Sequence, residues 1–116
     1  MTGKDMISQI QLFSDLSMDK KAALHEIVRS RTMVKGEILF HDYDQAKAVY
    51  FINKGKVRLS KSSPDGKEIT LGIRSTGQMF AEVAIFAKNT TTYPAIASVL
   101  EQGSVSFIQN EDLQSF

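Results

Sequence analysis

Residues 56–74, KVRLSKSSPDGKEITLGIR, carry the strongest structural signal in this chain. Val57 and Leu59 alternate with polar residues before the Pro-Asp-Gly turn, and three apolar residues alternate with polar ones after it: Ile69, Leu71 and Ile73. An alternation with a period of two is typical of a strand with one buried and one solvated face. The stretch is therefore predicted to form a β-hairpin that buries these five side chains.

Short apolar runs continue on both sides of this hairpin, and most of them end in a turn that contains glycine. They occupy residues 32–34, 38–40, 49–52, 94–100 and 104–108. Asn53-Lys54-Gly55 is predicted to turn the chain after the third run, and Gln102-Gly103 to join the last two runs as a second hairpin. Strand-sized runs at this spacing favour an antiparallel sandwich or barrel.

Residues 17–29 show a helix signal instead, because Ser17 can cap the first turn. Four residues at helical spacing form its apolar face: Ala23, Leu24, Ile27 and Val28. A second helix is predicted to begin at Asn110, and the chain stops about one turn later at Phe116. So short a helix is unstable alone. Either it docks on the sheet or a longer helix has been removed, and we favour removal.

Composition narrows the class of protein. The 116 residues are enough for one domain. The 14 basic and 13 acidic side chains nearly cancel, which argues against a chain that binds nucleic acid or membranes through its overall charge. Cysteine is absent, so disulfides and thiol catalysis within the chain are excluded. No apolar run suggests a signal peptide or a membrane span. We expect a cytoplasmic domain.

The segment 77–97, GQMFAEVAIFAKNTTTYPAIA, carries the functional signal. It reads as a loop, a short apolar helix, a polar tip and a returning strand. A loop that leads into a helix N-terminus can hold a small anion on backbone amides, and Glu82 lies at that junction.

Five motifs, taken in order, extend this reading across nearly the whole chain. They are LFSDLS (12–17), KGEILF (35–40), VYFINKGKVRL (49–59), DGKEI (65–69) and GQMFAE (77–82). Together they resemble the N-terminal cyclic-nucleotide-binding-like sensor domain of Crp/Fnr transcriptional regulators. The resemblance implies a mainly β fold: a double-stranded β-helix, or jelly-roll, barrel with a flanking N-terminal helix, a short cassette helix and the start of a C-terminal dimerisation helix. It also implies a homodimer in the full-length protein and DNA binding through a C-terminal helix-turn-helix domain that this chain lacks.

The resemblance makes 77–97 the phosphate-binding cassette. In cyclic-AMP-binding members a Glu bonds the ribose hydroxyl and an Arg pairs with the cyclic phosphate. Glu82 matches that Glu, Tyr93 stands at the Arg position, and Ala81 replaces the usual Gly. A neutral phenol lacks the fixed charge and bidentate fork of a guanidinium. We therefore do not expect cyclic AMP or cyclic GMP to bind tightly.

The predicted ligand is another small-molecule effector. The predicted ligand-binding residues are Phe80, Ala81, Glu82, Val83, Ala84, Tyr93, Pro94 and Ala95. Two of them have structural alternatives: Glu82 can cap the short helix, and Tyr93 can be a packing residue on the returning strand.

Three other functions remain open. The first is a signalling module that has no DNA-binding domain. The second is haem binding, since some relatives of the resembled family sense gas, although His25 and His41 have no spaced partners typical of a metal site. The third is a cupin-like metalloenzyme, which would need clustered His and Glu ligands. No catalytic constellation is apparent, so we expect the chain not to be an enzyme.

Overall fold

The computed structural model describes residues 18–82, 84, 88 and 90–114. The predicted cap Ser17, the rest of the motif at residues 12–17 and the cassette residue Val83 lie outside the described residues. Among the described residues no helix is long and apolar enough to span a membrane.

Within the described residues, six strands and two α-helices follow one another. Helix α1 (Met18–Ile27) precedes β1 (Val28–Met33), β2 (Ile38–Phe40), β3 (Ala48–Ser62), β4 (Glu68–Ser75), β5 (Met79–Phe80) and β6 (Ile96–Gln109), and α2 (Asn110–Gln114) ends the described chain. Antiparallel pairing gives the order β1-β6-β3-β4, with β2 also on β6 and β5 also on β3. The fold is mainly β, as the sequence predicts.

The centre of the sheet is a pair of long strands, β3 and β6, which run antiparallel from Ala48↔Gln109 to Ser60↔Ile96. The predicted turns at residues 53–55 and 102–103 are therefore wrong, and so is the predicted second hairpin. Both strands continue through these residues, and their register shifts there. A glycine inside a strand marks a bulge or a close backbone approach as readily as a turn.

The hairpin of β3 and β4 forms as predicted, but the side chains of β4 that the sequence predicts to be buried are exposed to solvent. Ile69, Leu71 and Ile73 are each more than half exposed, at 52%, 57% and 52%. Cross-strand partners share a face of a sheet, and Arg74 pairs with the fully buried Val57. The predicted burial of the three apolar residues of β4 is therefore wrong.

The helices predicted near residues 17–29 and from Asn110 are present. Most of the predicted cassette helix lies outside the described residues. Helix α1 ends two residues earlier than predicted, because Val28 and Arg29 already pair with Ile108 and Phe107 of β6. Leu24 is the fully buried residue of α1 and packs in the core. Helix α2 begins at Asn110, as predicted.

Candidate ligand cavity

A cavity of about 260 Å³ lies where β4, the cassette and the returning segment meet. Eight of the described residues line it: Phe40, Leu59, Leu71, Arg74, Ala81, Glu82, Pro94 and Ala95. This described lining is apolar except for one arginine and one glutamate. Ligand sites in proteins have this mixed character, and their volumes begin at roughly 300 Å³. The cavity suits a small ligand.

The predicted site residues divide into two groups. Ala81, Glu82, Pro94 and Ala95 line the cavity. The others that the structure describes are buried away from it: Phe80 at 0% exposure, Ala84 at 1% and Tyr93 at 4%. Their ligand-binding role stays a prediction, and their positions are those of core residues.

Tyr93 is held by the backbone of one residue of β3. Its hydroxyl accepts a hydrogen bond from the Ala48 N–H at 3.0 Å and donates one to the Ala48 carbonyl at 2.9 Å. Its ring stacks on the ring of Phe40, with 3.7 Å between the ring centroids. Phe40 lines the cavity, whereas Tyr93 lies behind it. Burial raises the pKa of Tyr93 to about 12. The phenol is therefore neutral at physiological pH, and its polar atom is already used.

The cassette backbone has an unusual conformation at its start. Ala81 has φ = 64°, in the left-handed region that favours glycine. The following turn is closed by a 3.1 Å hydrogen bond from the Ala84 N–H to the Ala81 carbonyl, the i to i+3 spacing of a 3₁₀ turn. Glu82 lies inside this turn, and its side chain is exposed at the cavity.

The cassette turn is bonded to the last helix. The Asn110 side-chain amide donates to the Ala84 carbonyl at 2.8 Å, and the Asn110 N–H donates to the Lys47 carbonyl at 2.6 Å. Leu113, one turn further on, packs against the core. A second cavity, about 450 Å³ in volume and lined by Lys47, Lys88 and Asn110 among others, lies beside this junction.

The apolar lining residues Phe40, Leu59 and Leu71 are not among the predicted site residues, and Arg74 is the charged cavity residue that the sequence does not predict. The alternation along β4 predicts a solvated side chain there, whereas the register with Val57 places Arg74 on the inner face. The sequence does hold one indication of this position. Arg74 is a cation that lies two residues after Gly72 and shortly before the cassette.

The described residues give no support for a metal centre. They contain no group of three His, Asp or Glu side chains close enough together to hold a metal ion.

Comparison with known proteins identifies the family. Residues 30–116 match the model of the cyclic nucleotide-binding domain. The chain belongs to that family. Its relatives include regulators of the Crp/Fnr type, and the family and its fold are regulatory.

Three similar proteins show the range of this family. The anaerobic regulatory protein of Bacillus subtilis is 33% identical over 102 residues, which cover 87% of this chain and 42% of the relative. A protein named as a potassium channel, from Rhodopseudomonas palustris, is 32% identical over 84 residues, covering 72% of this chain and 20% of the relative. The crystal structure of the N-terminal domain of a Streptomyces coelicolor transcriptional regulator has a TM-score of 0.83 and 27% identity, and the match covers 96% of this chain and 76% of that one.

These matches confirm the jelly-roll fold class of the cyclic nucleotide-binding domain. The chain spans less than half the length of either curated relative.

Proposed function

We propose that this cyclic nucleotide-binding domain is the effector-sensing part of a Crp/Fnr-type transcriptional regulator. The observation that carries the proposal is the cavity itself, because four cassette and return-strand residues that the sequence singles out line it together: Ala81, Glu82, Pro94 and Ala95. The 33% identity to the anaerobic regulatory protein supports a regulator as the parent protein.

The proposed effector is a small molecule other than a cyclic nucleotide. Position 93 offers a buried, neutral phenol whose hydroxyl is bonded to Ala48, so the cassette side of the cavity gains no cation from it. The Cβ of Ala81 also takes up room where a glycine would let a ligand approach the backbone. Losing one charge-assisted contact to a phosphate removes about 1.5–3 kcal/mol of binding free energy.

The proposed signal path runs from the cavity through the cassette turn to α2. A ligand that touches Ala81 and Glu82 acts on the turn that Ala84 closes, and Asn110 bonds that turn to the first residue of α2. A ligand that binds one arrangement of this junction more tightly shifts the population toward it. In the proposed regulator, α2 continues into a dimerisation helix, and its position sets the orientation of two DNA-binding domains.

The experiment reads the gene beyond codon 116 and tests the whole product. We expect a long helix followed by a helix-turn-helix segment, and retardation of a DNA fragment from an upstream region in a gel-shift assay. A reading frame that ends near Phe116, or that continues into a segment with no affinity for DNA, would contradict the regulator.

A second function is favoured by one observation, the similarity to a channel protein. In that case ligand binding in the same cavity would act through the same junction with α2 on a channel and not on a DNA-binding domain. The reading frame separates the two functions, because a channel would carry apolar runs of about 20 residues outside this domain.

A further inference from the structure

We propose that Arg74 anchors the anionic group, a carboxylate or a phosphate, of a small amphipathic effector in the 260 Å³ cavity. The inference rests on the proposed function in that it uses the same cavity. It places the cation that binds the anionic group on β4. In cyclic-AMP-binding members of the family, that cation is an arginine of the cassette, at the position of Tyr93.

The register of the hairpin places Arg74 on the inner face of the sheet. Arg74 pairs with Val57, which is fully buried, and Gly72 pairs with Leu59, which lines the cavity. Residues opposite one another in a ladder project from the same face. The guanidinium therefore enters the cavity from the strand that forms its wall.

Gly72 provides the space that the guanidinium occupies. A Cβ at position 72 would lie 3.0 Å from Nη1 of Arg74, which is closer than an ordinary van der Waals contact. The backbone of Gly72 does not require glycine for its φ, since its φ is not in the left-handed region. Its lack of a side chain instead leaves the arginine room to lie across the strand toward the cavity.

The positive charge of Arg74 is not neutralised by the part of the chain that the structure describes. Arg31 and Arg58 form ion pairs of 2.5 Å with Glu37 and Glu68, but no described carboxylate lies within ion-pair distance of Arg74. Its one hydrogen bond, to the Ile73 carbonyl, is 3.4 Å long, beyond the roughly 2.7–3.2 Å of ordinary N–H···O bonds. Its donors are therefore available to a ligand.

The remaining lining defines the rest of the ligand. Phe40, Leu59, Leu71 and Pro94 present an apolar wall, which favours an aromatic or aliphatic body. Glu82, in the same lining, accepts hydrogen bonds and suits a hydroxyl or amine on the ligand. An arginine fork binds a carboxylate or a phosphate by two parallel hydrogen bonds.

The experiment follows the ¹H–¹⁵N amide resonances of the 116-residue chain during titration with three probes of similar body. These are benzoate, phenyl phosphate and the neutral benzyl alcohol. We expect at least one anion to shift the amides of Gly72, Arg74 and Glu82 and to bind about 10- to 100-fold more tightly than benzyl alcohol. A response to benzoate alone indicates a carboxylate ligand, and a response to phenyl phosphate alone indicates a phosphate.

Three variants locate the charge. Arg74→Gln should bind the anions no better than benzyl alcohol, and Arg74→Lys should keep part of the preference because it retains the charge without the fork. Arg58→Gln, in the same hairpin but on the face shared with Ile73, is the matched control and should bind the anions as the wild type does.

Each remaining outcome overturns the inference. These outcomes are equal binding of all three probes, an unchanged anion preference in Arg74→Gln, shifts confined to the second cavity at Lys47 and Lys88, and no saturable shift with either anion. Equal binding of all three probes within the first cavity would contradict the role of Arg74 as an anion anchor, but it would be compatible with the proposed function. A reading frame without a DNA-binding segment would remove the regulator but leave the anchor standing.

Discussion

Tyr93 is the residue whose surroundings most constrain what the cavity can bind. Its hydroxyl is both donor and acceptor to the backbone of Ala48, and its ring stacks on Phe40. Each such bond contributes about 0.5–1.5 kcal/mol. A ligand that accepted a hydrogen bond from this hydroxyl would have to break its bond to the Ala48 carbonyl, so the phenol stabilises the core and Arg74 is the cation among the described lining residues.

Tyr93→Phe should lower the free energy of unfolding by about 1–3 kcal/mol, because the buried N–H of Ala48 loses its acceptor. Urea denaturation measures this loss. The exposed Tyr43→Phe is the control and should change it by no more than a few tenths of a kcal/mol.

The same phenol makes stability depend on alkaline pH. Burial raises the pKa of Tyr93 from 10.0 to about 12 in the folded state, so the unfolded chain loses this proton first. The stabilisation is complete below pH 10 and is lost as the pH rises toward 12. A difference of this size corresponds to on the order of 2–3 kcal/mol. In Tyr93→Phe this part of the decline should disappear, while the part due to Tyr50, whose pKa burial also raises, remains. An unchanged pH profile would contradict the assignment.

Ala81 carries a backbone strain that a glycine would relieve. An alanine at φ = 64° costs about 1–2 kcal/mol, and a glycine there costs about 0.5–1 kcal/mol of unfolded-state entropy. Ala81→Gly should therefore raise the free energy of unfolding by about 0.5–1 kcal/mol in urea. Ala97→Gly, a buried position in β6 with no positive φ, should lower it. Destabilisation of both variants to the same extent would contradict the strain at Ala81.

Among the strands, β3 and β6 approach each other closely at one pair of glycines, where their register shifts. Gly55 has φ = 111°, and a Cβ there would lie 2.7 Å from the Glu101 carbonyl oxygen. A Cβ at Gly103 would lie 1.9 Å from the Lys54 carbonyl oxygen. Neither position has room for a side chain where the two backbones lie against each other.

Gly103→Ala should therefore force the two strands apart and lower the free energy of unfolding by about 3 kcal/mol or more. Gly66→Ala is the matched control, because Gly66 has φ = 83° but nothing within 4 Å of a Cβ, and it should cost only about 1 kcal/mol of backbone strain. Thermal or urea unfolding compares the two. Equal costs would show that β3 and β6 do not approach closely at Gly103.

The Asn110 side chain bonds helix α2 to the cassette turn. Asn110→Ala removes the 2.8 Å bond to the Ala84 carbonyl and should lower the free energy of unfolding by about 0.5–1.5 kcal/mol. In the benzoate titration, the amides of residues 111–113 should shift in the wild type and not in this variant, while those of Gly72 and Glu82 still shift. The exposed Glu111→Ala is the control, and in this variant benzoate should shift the amides of residues 111–113 as it does in the wild type. Transmission that survives in Asn110→Ala would contradict the proposed path.

At the scale of the whole molecule, the sequence predicts the parts that local chemistry determines. The strand at Ile38–Phe40, the hairpin around the Pro-Asp-Gly turn and the helix that begins at Asn110 are all confirmed. Each depends on a period of two, a turn motif or a capping residue within a few positions.

The parts that pairing between distant strands determines could not be predicted. Gly55 and Gly103 look like turn residues until the partner strand is known to lie against them. The inner position of Arg74 depends on its register with Val57, and the ladder shifts between Leu59 and Ser60. A shift of one residue exchanges the two faces of a strand. The sequence thus locates the cassette but cannot show which cation faces it.

Calorimetric titration of the 116-residue chain with cyclic AMP and cyclic GMP shows whether this cavity serves an effector other than a cyclic nucleotide. We predict no heat of binding for either nucleotide at micromolar concentrations, because a nucleotide whose ribose contacts Glu82 as in the family would place its phosphate beside position 93, where the phenol offers no charge, and not at Arg74 on β4. Saturable binding of either nucleotide with a micromolar or lower dissociation constant would contradict the account.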